Sequence, residues 1–119
     1  MLQKKYRLKK YSAFIATYKN NDAISDRNLC IYFGKKKTSD DTTTKFAFVV
    51  SKKVHKRAVI RNRIKRLMRE VIRKSLLESK YAHLNKYISI ILVGKSSAID
   101  ASYDDIYDSI DKLLRTKGF

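Results

Sequence analysis

The chain has 119 residues, 44% hydrophobic and 33% charged, enough to bury one core under a charged surface, so a single globular domain over 1–119 is expected. Its 28 Lys and Arg outnumber 11 Asp and Glu, and the net charge of +17 points to a polyanionic partner, nucleic acid first. The longest apolar run, at 88–93 with Ser89 inside it, falls far short of the roughly 18 residues of a membrane span. The charged start at 1–5 has no apolar stretch of signal-peptide length behind it, and no long amphipathic anchor accompanies the basic tracts, so a cytoplasmic location off the membrane is expected.

In chain order, Tyr11, Phe14, Ile15 and Tyr18 recur at i, i+3, i+4 and i+7, the apolar stripe of a predicted short helix. Asn20, Asn21 and Asp22 end it. The β-branched and aromatic runs at 29–33 and 46–50 predict two strands, and the polar segment 35–44 between them reads as a hairpin loop. A long helix follows over 58–79, then a continuous apolar strand over 87–93. The final helix, 102–115, has Ile106, Ile110, Leu113 and Leu114 as its buried stripe, with a cap at Ser102 followed by Asp104 and Asp105. The expected order is therefore α-β-β-α-β-α.

Charge is distributed unevenly. Residues 1–19 hold six Lys/Arg and no acid, residues 51–74 hold eleven against the single acid Glu70, and five of the eleven acids lie within 100–111. The last helix is thus a poor surface for nucleic acid. In the long helix Ile60, Ile64, Leu67, Met68 and Val71 share one side, while Arg61, Lys65, Arg69 and Arg73 form an i, i+4 ladder that Asn62 and Arg66 widen. Like charges at that spacing destabilise an isolated helix, and a phosphate backbone would relieve them. A solvated face normally mixes both signs, which this stretch does not.

Other chemistry is poorly provided for. Cys30 is alone and reads as a small apolar strand residue, with only His55 and His83 to help it toward a zinc site. His55 reads as a solvated turn residue and His83 as a surface one. Asp104, Asp105, Asp108 and Asp111 suit the exposed face of an amphipathic helix better than a hard-cation loop, so no protein-borne metal is expected.

The stretch from Phe48 to Glu70, with Ser51-Lys52-Lys53 leading into Arg61-Asn62-Arg63-Ile64-Lys65-Arg66, closely resembles the signature of the protein component of bacterial ribonuclease P. Arg7-Leu8-Lys9-Lys10 followed by Phe14, then Arg27 and Tyr32, extend the likeness, as does the order of elements. The resemblance implies an α+β fold of the ribosomal protein S5 domain 2-like type, a small mixed sheet with helices mainly on one face. It also implies a left-handed strand–helix–strand crossover, against the usual right-handed rule. It further implies a monomeric subunit with no chemistry of its own and no bound cofactor, supporting a catalytic RNA that removes the 5′ leader of precursor tRNA with RNA-bound Mg2+. Contacts to that RNA would fall on Lys52, Lys53, Arg57, Arg61, Asn62, Arg63, Lys65, Arg66 and Arg69. A leader cleft would use Phe14, Tyr18 and Tyr32, where unpaired nucleotides stack on aromatic faces in a positive groove. Ordinary core packing is the competing reading of Phe14 and Tyr18.

Two other functions compete. A ribosomal or RNA-chaperone-type protein would use the same basic helix. A nuclease acting by itself lacks an acid–base pair or carboxylate cluster beside the basic face.

Overall fold

The computed structural model describes residues 2–38, 43–80 and 86–118. Helices α1 (Tyr11–Lys19), α2 (Ala58–Leu77) and α3 (Tyr103–Lys117) pack on a four-stranded mixed sheet of β1 (Asp22–Ser25), β2 (Leu29–Phe33), β3 (Lys45–Val49) and β4 (Ser89–Gly94), ordered β1-β2-β4-β3. The α+β class and the mixed sheet are as expected, and three details differ.

The first difference is β1, absent from the expected order. The residues that end α1 also start this strand: Asn21 takes a left-handed φ of 56°, which turns the chain back at once, and Asp22 pairs opposite Phe33. The Asp26 carboxylate accepts from the amides of Asn28 (2.9 Å) and Leu29 (3.0 Å), closing the turn into β2. Burial raises the Asp26 pKa, but these two bonds, one from Ser109 and the charge of Lys112 outweigh it, so the net position is below an ordinary carboxyl. A depressed folded pKa adds stability that is present above the unfolded value of about 3.9 and is lost as pH falls through the folded value. Urea unfolding from pH 7 down to 3 should show that loss, and Asp26→Asn should make it smaller.

Second, β2 and β3 do not form a hairpin. The most apolar strand, β4, takes the centre, antiparallel to β2 and parallel to β3. The 35–44 segment therefore carries the chain past β4, with Lys36 bridged to Tyr87. Helix α2 joins the parallel neighbours β3 and β4. Residues 39–42 of that segment and His83 in the α2–β4 connection lie outside the described residues.

Third, the α1 stripe is not the buried side of that helix. Tyr11 is 79% exposed, whereas Thr17 is buried, its hydroxyl 2.6 Å from that of Ser89. Ser89, Ile91 and Val93 alternate with Ile90 and Leu92 along β4, so α1 covers one sheet face and the hydrophobic core the other. That core joins Leu29, Ile31, Phe33, Ile90 and Leu92 to Ile64, Met68 and Ile72 of α2 and to Ile106, Ile110 and Leu114 of α3. The two longer helices thus share a face. α3 is fixed as expected, by a capping box in which Ser102 and Asp105 exchange hydrogen bonds.

α2 sits tightly against β4 because Gly94 has no side chain. A Cβ there would lie 2.9 Å from Ile64 Cγ2 and 3.0 Å from Val50 Cγ2. Gly94→Ala should cost about 1–3 kcal/mol of stability through overpacking, read as a lower urea midpoint. An unchanged midpoint would show that α2 moves out freely.

Candidate RNA-binding surfaces

The approach to α2 is built from the backbone. After β3 the chain turns through Ser51, where Val54 donates to the Ser51 carbonyl at 3.1 Å. His55 Nδ1 accepts from the Arg57 amide (3.0 Å), and Arg61 Nη1 donates to the carbonyls of His55 (3.0 Å) and Lys56 (2.8 Å). His55 and Arg61 therefore shape this turn, which leaves Lys52, Lys53 and Arg57 exposed at the helix entrance.

Helix periodicity places Asn62, Arg66, Arg69 and Arg73 along the side of α2 opposite Ile64, Met68 and Val71. Asn62 and Arg66 are exposed, and Lys65 is half-buried on the flank. Arg73 is held by Glu70, Nη2 to Oε1 at 2.6 Å, so the last rung is partly neutralised. Arg63 faces the other way. Its guanidinium donates to the carbonyls of Ile99 (3.3 Å) and Ala101 (2.9 Å), tying α2 to the segment before α3.

Two of the acids of α3, Asp105 and Asp111, have local partners. Asp105 closes the capping box, and its hydrogen bonds from the Ser102 amide and hydroxyl hold its pKa below the ordinary range. Asp111 pairs with Arg115 at 2.9 Å and with Lys80 at 3.6 Å. Among the described residues no group of three or more His, Cys, Asp or Glu is placed to hold a metal ion.

Because β3 is an edge strand, the surface can wrap around it. The N-terminal segment covers part of that edge, with Leu8 N–H donating to the Phe46 carbonyl at 2.8 Å. Around the rest runs a cavity of about 340 Å³ whose walls include Arg7, Lys9, Phe14, Ala47, Phe48 and Arg69. Arg69 lies over the Phe48 ring at 5.7 Å. The cavity thus connects the basic side of α2 to the aromatic flank of α1. Spacing does not single out Phe48 and Lys9 as parts of this site; Phe48 enters it because β3 is an edge strand, and Lys9 because the N-terminal segment runs along that edge.

One turn along α1, Tyr18 meets Tyr32 of β2 edge-on at 4.8 Å. Phe14 is half-buried and Tyr18 is 36% exposed, and neither belongs to the hydrophobic core, so the core-packing reading fails for both. Burial, then Cys30, raises the Tyr18 pKa. Cys30, then burial and Tyr18, raise that of Tyr32. Both phenols stay neutral at neutral pH and put no negative charge beside the basic groups. Arg27 lies elsewhere, near Asp100 and Asp105.

A family model described as Ribonuclease P matches residues 2–118. The chain belongs to the ribonuclease P protein family. The ribonuclease P protein component of Clostridium kluyveri is 32% identical over 113 residues, covering 95% of each chain. The structure of the Staphylococcus aureus RNase P protein superposes with a TM-score of 0.75 at 28% identity, covering 95% of each chain. A mutant of that S. aureus protein, described as defective in mRNA degradation activity, gives a TM-score of 0.78 at 29% identity, covering 96% of this chain and 89% of that one. Ribonuclease P proteins are RNA-binding components of a tRNA-processing nuclease, partnered with its RNA subunit. That membership accounts for a chain of this positive charge.

Proposed function

We propose that this ribonuclease P protein supports the catalytic RNA in removing the 5′ leader of precursor tRNA, with α2 on the RNA subunit and the leader passing the aromatic flank of α1. The observation that carries this reading is the cavity around β3, where Arg69 of α2 and Phe14 of α1 line one space. A subunit that bridges a structured RNA and a single strand needs a phosphate-binding face continuous with stacking surfaces. Lys52, Lys53, Arg57, Asn62, Lys65 and Arg66 supply the first, and Phe14, Tyr18 and Tyr32 the second. Arg61 contributes by holding the turn that presents Lys52 and Lys53.

On this reading the hydrolytic chemistry and its Mg2+ reside on the RNA, and the monomeric protein works by lowering repulsion and fixing the substrate. A cytoplasmic location follows from the partners; no described helix is long and apolar enough to cross a membrane.

Reconstitution at low Mg2+ tests the proposal. Protein plus catalytic RNA should cleave precursor tRNA at the mature 5′ end much faster than the RNA alone, and protein alone should cleave neither precursor tRNA nor an mRNA. No stimulation would favour a ribosomal or RNA-chaperone role. Cleavage by protein alone at a comparable rate would make the chain itself the nuclease.

A further inference from the structure

A second cavity, about 690 Å³, opens on the opposite flank of α1. Ala13, Ala16 and Thr17 form its helical wall, one helix face away from Phe14 and Tyr18, and Gly34, Ile88 and Ser89 close it at the end of the sheet. Its volume is that of an ordinary ligand pocket.

Its chemistry is divided in two. The walls are mainly alanine and isoleucine, while Lys4, Arg7, Lys9, Lys10, Lys35 and Lys45 stand around them, with no acid among the described lining residues. A bare anion would gain nothing from the apolar walls, and an uncharged apolar molecule would gain nothing from the cations. A nucleotide uses both, its base against the walls and its phosphate among the lysines.

The floor adds a further preference. Thr17 Oγ1 donates its hydrogen to the Ala13 carbonyl at 2.7 Å, so the 2.6 Å contact with Ser89 must be donated by Ser89. Both hydroxyl hydrogens are thereby used, and only acceptor lone pairs remain. Gly34 lies close against Ser89, since a Cβ there would lie 2.2 Å from Ser89 Oγ, so a larger residue would displace the hydroxyl at this end of the pocket. An acceptor floor suits the exocyclic amino group of a base such as adenine.

From this division we infer that the pocket takes one unpaired, amino-bearing nucleotide of a bound RNA strand, separately from the Phe14–Tyr18–Tyr32 side. The inference rests on the RNA-binding reading and adds a site to it.

Amide chemical-shift mapping of the full chain with single-stranded hexaadenylate, and separately with inorganic phosphate, tests it. Hexaadenylate should move the amides of Ala13, Ala16, Thr17, Gly34 and Ser89 saturably, and phosphate should not. Ala16→Leu, at an exposed helical position where Leu is tolerated, should fill the mouth. It should weaken binding at these amides by roughly tenfold, the scale of one lost base contact, and leave shifts at 30–32 and 61–69 intact. Shifts confined to 30–32 and 61–69 would overturn the pocket while keeping the RNA-binding reading. Equal shifts from phosphate would also overturn it, leaving a plain anion patch. No shift anywhere would remove the RNA-binding reading itself.

Discussion

Arg66→Ala with Arg69→Ala should leave the fold intact and make RNA binding markedly less sensitive to salt, whereas Arg63→Ala should do the reverse. Arg66 projects from the outward side of α2, and Arg69 rests on Phe48 beside the β3 cavity. If each neutralises one phosphate, their loss lowers the slope of log affinity against log salt by about 1.4–1.8. Affinity for the catalytic RNA at physiological salt falls accordingly, and saturating protein restores cleavage. Arg63 instead spends its guanidinium on the carbonyls of Ile99 and Ala101. Its removal strands two acceptors and should cost about 1–3 kcal/mol, a drop of several degrees in melting temperature, with the salt slope unchanged. Calorimetry and binding titrations at several salt concentrations separate the two classes. If Arg63→Ala lowers the slope as much as Arg66→Ala, its carbonyl contacts give way to RNA and the outward side of α2 is broader than the free chain suggests.

The contrast between Arg63 and Arg66 marks the limit of what periodicity can say. Spacing along α2 identified a basic surface, because buried Ile64 and Met68 fix the helix rotation and everything opposite must face outward. It could not reveal that Arg63 meets the carbonyls before α3, since that encounter depends on tertiary packing between elements far apart in the chain. The same holds for the strands. β2 was legible because five consecutive residues, Leu29 to Phe33, are apolar and β-formers, and the α3 cap because Ser102 and Asp105 act within one turn.

β1 was hidden because only Ala23 and Ile24 of its four residues are apolar and the strand lies at the sheet edge, half-exposed. The hairpin inferred between β2 and β3 failed for a different reason. Local sequence announces strands but not partners, and the apolar β4 outcompetes β3 for the place beside β2. The aromatic stripe of α1 is legible as a stripe, but spacing alone leaves open whether it is core or an open surface. A helix crossing a sheet can bury a small polar side, here Thr17 on Ser89, when its hydroxyls are mutually satisfied. The side left over is aromatic and partly open, the arrangement a stacking site requires.

That open aromatic flank supports the last expectation. Tyr18→Ala, alone or with Tyr32→Ala, should weaken binding of precursor tRNA to the assembled holoenzyme and leave mature tRNA, which has no leader, bound as before. Tyr18 is 36% exposed and meets Tyr32 edge-on, so truncation removes a stacking platform with little loss of core. Base–aromatic stacking is worth roughly 1–3 kcal/mol per base, so precursor affinity should fall between about fivefold and 150-fold. Tyr18→Phe and Tyr32→Phe should keep most of the affinity, because the ring faces do the stacking. Phe14→Ala should act in the same direction but carries more structural cost, since Phe14 is half-buried against the β3 cavity; Phe14→Leu separates lost stacking from lost packing. Equilibrium binding of precursor and mature tRNA, with circular dichroism melts of each free variant, decides the matter. If a folded Tyr18→Ala variant weakens both tRNAs equally, the flank holds the RNA subunit or the tRNA body instead, and the leader must run elsewhere on the positive surface.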